Sequence, residues 1–352
     1  MSDSRKVALV VGASGIVGRA ALAHFAAAQD WQVLAAARRP PADSANVRAL
    51  SLDLLDAEDC RCRLAEHPEI THVFFTAHLK AASAAEEVGP NLEMLRNLVD
   101  ALEAEVPGFQ HINLMHGQKW YGNHLGTYRT PAKEDDSRHM PPNFYYDQQD
   151  FIVARQRGAN WTWSSLRPQA PLVFSLGSPM NQLLVLAIYG SICKELGLPL
   201  HFPGSRGCYE ALYQITDPQL LARSMEWVAT QPQCANQAYN ITNGDLFRWK
   251  NLWPRLAQFF GVEPGEVQTL SLERQMADKG PLWERIVHRH GLAEHPIDKL
   301  VDWRWGDFIF NSAYDNVSST VKLRRSGFHD CRDSEECYLE ALEQLRRERI
   351  IP

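Results

Sequence analysis

A lysine in a loop and a tyrosine at the start of a later helix are the side chains of this chain best suited to handle a proton. Lys119 lies in Met115-His116-Gly117-Gln118-Lys119-Trp120-Tyr121-Gly122. Tyr145 lies in Asn143-Phe144-Tyr145-Tyr146-Asp147-Gln148-Gln149-Asp150. A phenol beside an ammonium group can give a hydrogen bond or a proton to an oxygen that gains negative charge. The two stand 26 residues apart, lysine first, so only the fold can bring them together. None of the ten tyrosines is followed by a lysine four residues later, so no helix carries such a pair on one face. Each residue alone is ambiguous. A loop lysine is also what a solvated charge looks like, and adjacent tyrosines on a helix are also one core ring and one surface ring.

A second chemical feature opens the chain. Residues 7–18, VALVVGASGIVG, read as a buried strand running into a glycine turn and a helix. Gly12 suits the tight turn, Gly15 a close approach of backbone to a pyrophosphate, and Gly18 close packing of helix on sheet. Ser14, Ile16 and Val17 fall in the same turn, where helix amides and the helix dipole face an anion. The strand that follows ends in Ala37-Arg38-Arg39, where an acidic residue would bind the ribose hydroxyls of NAD. Two guanidinium groups suit the 2′-phosphate of NADP(H) instead. Asp53 and Leu54, after the third strand, either flank the adenine or simply form a polar strand end.

These residues need a sheet with helices between its strands. Lys6–Val11, Trp31–Ala37, Val47–Leu52, Thr71–Thr76, Gln110–Leu114 and Trp161–Leu166 read as six strands. Gly15–Gln29, Val88–Glu105 and Phe144–Arg157 read as helices. The alternation predicts an α/β Rossmann-type doubly wound parallel sheet with right-handed crossovers. Lys119 then lies just past a strand's C-terminal end, where such sheets bind ligands. Helices are expected at Asn181–Leu196, at Asp217–Thr230 with Asp217 as cap, and at Ser334–Glu348. The aromatic stretches 249–260 and 283–305 are expected in core and lid packing, with 181–196, over an apolar pocket roof. The expected organisation is a NADP-binding domain over 1–170, with returning segments near 213–245 and 308–320. A smaller, mainly helical substrate-binding cap, interleaved with it, takes up 171–352.

The chain of 352 residues is 45% hydrophobic and 22% charged, a globular composition. A net charge of −6 argues against nucleic acid or a membrane surface as partner. No apolar run approaches a membrane span, and MSDSRK leads straight into a strand, so no secretory leader is expected. Seven scattered cysteines without a Cys-x-x-Cys pair argue against a disulfide frame or zinc site, and for a reducing cytoplasm. A homodimer is left open, because the sequence is silent on oligomeric state.

Several motifs in order resemble the progesterone 5β-reductase/iridoid synthase family, an atypical branch of the extended short-chain dehydrogenases. They are Arg38-Arg39, Gly117-Gln-Lys119-Trp-Tyr121-Gly122, Asn143-Phe-Tyr145-Tyr146, Ser165-Leu-Arg167-Pro168, Asn240-Ile-Thr-Asn243-Gly244-Asp245 with Phe247-Arg-Trp249-Lys250, and the final Ile350-Ile351-Pro352. The resemblance implies NADPH-dependent 1,4-reduction of the C=C bond of a small apolar enone or enal. It implies Tyr145 and Lys119 as the catalytic pair. Gln149, His116, Trp120 and the segment Thr76-Ala-His78-Leu79-Lys80 depart from the family's usual text near the cleft, which leaves the natural substrate open. Two other readings stay on the table. A nucleotide-sugar epimerase or carbonyl reductase would expect the missing Tyr-x-x-x-Lys helix, and a non-catalytic NADP-binding redox sensor would bind cofactor without turnover.

Overall fold

The computed structural model describes residues 5–172 and 181–352. Residues 1–4, on which the leader reading partly rests, and 173–180 lie outside the described residues. Among the described residues nine strands form: β1 (Lys6–Val11), β2 (Trp31–Ala37), β3 (Val47–Ser51), β4 (His72–Phe75), β5 (His111–Met115), β6 (Thr162–Pro168), β7 (Leu200–Phe202), β8 (Gln237–Ile241) and β9 (Pro264–Val267). Seven make one parallel sheet in the order β3-β2-β1-β4-β5-β6-β8. The order reverses between β1 and β4. That is the switch point where crossovers leave to opposite faces and a crevice opens beyond the strand ends.

Burial on both faces explains the near-continuous apolar text of these strands. Val7, Leu9 and Val11 of β1 join a core with the helices Ala57–Ala65, Ala84–Glu105 and Phe144–Gln156. Ala8 and Val10 join the opposite core, with the helices Ile16–Ala27 and Pro218–Thr230. A third core fills a mainly helical cap, where Trp249, Trp253 and Trp283 are buried among the helices Gln182–Leu196, Trp249–Phe260, Gly280–His290 and Ser334–Arg347. The pair β7–β9 is this cap's small sheet. No helix among the described residues is long and apolar enough to cross a membrane.

Three expectations need correction. The sheet has a seventh strand, β8, absent from the six read in the sequence: QAYNI is short and mixes amide side chains into an apolar run. The helix expected from Val88 begins at Ala84, capped by Ser83 Oγ accepting from the Glu86 amide at 3.3 Å. Its first turn opens with Ala84, Ala85 and Glu86 exposed and so carries no apolar periodicity. The stretch 249–260 is cap core and no part of a pocket roof. Only Trp305, from the later stretch, reaches the cavity described below.

Candidate active site

Two cavities meet beyond the C-terminal ends of β1, β4, β5 and β6. The first, of about 460 Å³, is lined by Gly12, Ser14, Gly15, Ile16 and Val17, by Arg38 at the end of β2, and by Asp53 and Leu54 after β3. Gly12 has φ +81°, and a Cβ there would lie 2.8 Å from the Ala77 nitrogen. A Cβ on Gly18 would lie 2.2 Å from the Gly12 oxygen, so turn and helix close on each other only as glycines. Gly15 caps the helix Ile16–Ala27 with no side-chain acceptor, leaving first-turn amides without a side-chain partner. This cradle fits a dinucleotide pyrophosphate. Gly18 packs without lining the cleft, and Arg39 is exposed beyond the lining where Arg38 takes part. Asp53 Oδ1 accepts from the Leu55 amide at 3.1 Å, which fixes the turn it lies in.

The second cavity, of about 390 Å³, holds both proton-handling candidates, Lys119 and Tyr145. Lys119 sits in the 3-10 turn Gln118–Tyr121 directly after β5. Tyr145 is in the first turn of Phe144–Gln156. Asn143 ties the two segments together: its Oδ1 accepts from the Tyr145 amide at 3.1 Å, and its Nδ2 donates to the Lys119 carbonyl at 2.9 Å. A helix cap is thereby also the clamp on the lysine turn. A Cβ on Gly117 would lie 3.4 Å from Tyr145 Oη, so glycine lets the phenol lie against this turn. The Tyr145 ring packs on His116, centroids 4.8 Å apart. Burial pushes the phenol well above its ordinary value, with help from the Glu87 charge, so it stays a protonated donor.

The neighbouring hydroxyls are committed elsewhere. Tyr146 Oη donates to the Trp120 carbonyl at 2.6 Å and accepts from the His139 amide at 3.0 Å. Tyr121 Oη donates to Asn240 Oδ1 at 2.8 Å and accepts from Arg167 at 2.9 Å. Tyr145 Oη makes no hydrogen bond to a described residue. The Tyr-Tyr ambiguity of the sequence thus resolves by partner: one hydroxyl is structural and the other faces the cavity region.

Arg167 explains two departures seen in the sequence. It is buried at 1% exposure, stacks 3.7 Å over the Trp120 ring, and donates to Gln149 Oε1 at 3.1 Å. Gln149 and Trp120 therefore enclose a buried cation and do not line the cavity. Among the described residues no carboxylate forms an ion pair with it, and burial pulls its guanidinium below the ordinary value. Gln149→Glu is expected to raise the unfolding free energy by about 1 kcal/mol, the scale of giving a hydrogen bond from a guanidinium an ionised acceptor in place of a neutral one. Thermal melts against Gln149→Leu check it; a melting temperature lower than the parent's for Gln149→Glu would count against it. His116, by contrast, does line the cavity. It holds Ser165 Oγ through Nδ1 at 2.8 Å and is kept neutral by burial, its pKa pulled down to about 3.

Sequence reasoning passed over several cavity residues: Asn123, His124, Gln169, Tyr213 and Phe308. They come from four separate stretches, and no motif links them. Ile16, Val17, Thr76, Ala77 and His78 line both cavities, so the two spaces are continuous. No group of three or more metal-ligating side chains occurs among the described residues.

Comparison with known proteins matches this geometry to a family. The chain is 33% identical to an (S)-8-oxocitronellyl enol synthase of Nepeta racemosa, covering 98% of this chain and 93% of that one. It is 33% identical to the 3-oxo-Delta(4,5)-steroid 5-beta-reductase of Arabidopsis thaliana, at the same coverage of both chains. Among solved structures, a UDP-glucose 4-epimerase of Thermotoga maritima superposes with a TM-score of 0.68. It is 15% identical and covers 97% of this chain and 99% of its own, a likeness of fold. The model of the PRISE-like Rossmann-fold domain matches residues 8–352, and to that family the chain belongs.

Proposed function

We propose that this protein reduces the C=C bond of an enone or enal by 1,4-addition, with NADPH as reductant and a small apolar compound as substrate. The observation that carries the reading is the Tyr145 hydroxyl, without a partner among the described residues, in a cavity that Lys119 also lines and that runs into the dinucleotide cleft. The bound cofactor supplies a hydride from its nicotinamide C4 to the β-carbon. Tyr145 donates a hydrogen bond to the carbonyl oxygen as that oxygen becomes an enolate. Lys119 adds positive charge on the same side and positions the oxygen. Pro168, Ala170, Phe144 and Trp305 give the apolar walls that exclude water. The likeness to a 3-oxo-Delta(4,5)-steroid 5-beta-reductase supports the same chemistry. The test is NADPH oxidation, followed by its near-ultraviolet absorbance, across a panel of small enones with product analysis. A saturated ketone or aldehyde is the expected product; an allylic alcohol, or no oxidation with any member, would overturn the reading.

Cofactor choice follows from the end of β2. Arg38→Ala/Arg39→Ala is expected to raise the KM for NADPH about 10- to 100-fold, the scale of losing charge-assisted contacts to one phosphate. The KM for NADH should stay as it was. Equal losses for both cofactors would place the 2′-phosphate contact elsewhere.

A further inference from the structure

Reduction of an enone needs a proton at the α-carbon after the hydride arrives, and Tyr145 and Lys119 face the oxygen. We propose that His78, held by Glu87, delivers that proton. The inference rests on the enone-reductase reading above and adds a catalytic residue to it.

His78 lies just beyond β4 and lines both cavities, at the seam between them where the enone-reductase reading puts the C=C bond. Its ring stacks on Phe144, centroids 5.1 Å apart and planes within 16°, so its orientation is fixed by the residue next to Tyr145. Its Nε2 is 3.6 Å from Glu87 Oε2, within ion-pair range. A carboxylate behind an imidazole stabilises the charged ring and sets which nitrogen faces the reaction. Glu87 is itself only 14% exposed, while the His78 side chain is 43% exposed. The ring therefore touches both the cavity and water, as a group must that is recharged after every turnover.

The surrounding charges set its acidity. Burial, Lys119 and Lys80 lower the imidazole below its ordinary value, and Glu87 opposes them. His124, also in the cavity, is held neutral by burial and by Lys119, down to about 4, and its Nδ1 is buried without a partner. His124 is thus a poor proton source, while His78 is an acid with a counter-ion and a route to solvent. In the step itself, the hydride from NADPH forms the β C–H bond and the π pair moves to give an enolate. An N–H of the His78 imidazolium then breaks, its proton forms the α C–H bond, and the C=O bond is restored. Water returns a proton to the neutral ring.

The experiment uses 2-methylcyclohex-2-enone, or another α-methyl enone that the unaltered enzyme reduces, with NADPH in deuterated water. The readout is the configuration at the new α-centre, taken at early times. The unaltered enzyme is expected to give one configuration with deuterium at that carbon. His78→Asn and Glu87→Gln are expected to give an equal mixture, because the enolate is then protonated by water from either face. Single-turnover oxidation of NADPH should persist in both variants, while steady-state turnover of His78→Asn falls about 10²-fold, the scale of general acid catalysis. Retention of the parent configuration in His78→Asn would overturn the proposal. So would loss of the single-turnover hydride step in both variants with NADP⁺ binding intact, since a donor acting after hydride transfer must leave that step standing. An unaltered enzyme that reduces no enone would instead strike the reading beneath it.

Discussion

Replacing Tyr145 by Phe is expected to slow enone reduction about 10²-fold while leaving NADPH binding unchanged. The substitution removes one oxygen and keeps the ring that packs on His116 and Phe144. Little packing is lost, and no protein hydrogen bond is broken, because Tyr145 Oη has no partner among the described residues. What is lost is one donor to a developing oxyanion, worth roughly 10²- to 10³-fold in comparable sites. The effect belongs in kcat, since the bond strengthens only as charge develops. Tyr146→Phe makes the contrast. It breaks bonds to the Trp120 carbonyl and the His139 amide, so it should cost stability and leave the chemical step nearly intact. If Tyr145→Phe turned over at the parental rate, the oxyanion donor would have to be another group, and Lys119 would be the one at hand. A cofactor sensor without turnover predicts no change in either variant.

How much of this could be read in the sequence divides along one physical line. β1, β2 and the glycine turn were legible because a strand buried on both faces needs apolar residues throughout, and a tight turn under a pyrophosphate needs glycine. The helix Pro218–Thr230 was legible because Asp217 caps it, accepting from the Leu220 amide at 2.8 Å. β8 was not, because an outer strand tolerates Gln237 and Asn240 and so breaks the pattern. That Lys119 and Tyr145 would line one cavity was expected from two motifs. What joins them, Asn143 bridging the turn and the helix, was not, since one asparagine among many carries no signal of its second bond. The meaning of Gln149 was likewise hidden, because its partner Arg167 lies 18 residues on and reaches it only through the sheet. His78 stood in the sequence only as a departure from a family pattern; the carboxylate behind it comes from a different element.

Lowering the pH from neutrality to about 5 is expected to remove several kcal/mol of stability through three buried histidines. His72 starts β4, His111 starts β5, and the two are partners across the parallel pair, ring centroids 6.3 Å apart. His116 lies at the other end of β5. Burial is the largest cause in each case, lowering His72 to about 4, and His111 and His116 to about 3. An unfolded chain protonates its histidines near pH 6.5. Above that value the rings are neutral in both states and contribute nothing to the pH dependence. Between 6.5 and about 4 the unfolded state takes up protons that the folded state refuses, so stability falls as pH falls. Each ring contributes a slope of about 1.4 kcal/mol per pH unit. Three give roughly 6 kcal/mol by pH 5, and even half of that is large against the roughly 5–15 kcal/mol of a typical domain. The carboxylates whose values are lowered by partners, Asp30 and Glu226 among them, add their loss as pH falls below about 5, beneath the range over which the slope is taken. Urea unfolding at a series of pH values between 7.5 and 5 measures the slope directly. His72→Asn/His111→Gln should remove two rings' share of it and leave that of His116 and of the cavity histidines His124 and His78, whatever it costs at pH 7 through the lost bonds of His111 to Thr162 Oγ1 and Ser164 Oγ. An unchanged slope in that variant would mean that the two histidines do not set it. Because both sit at the end of the sheet opposite the cavities, the same variant should keep the pH profile of kcat unaltered, which separates acid unfolding from any proton transfer at His78.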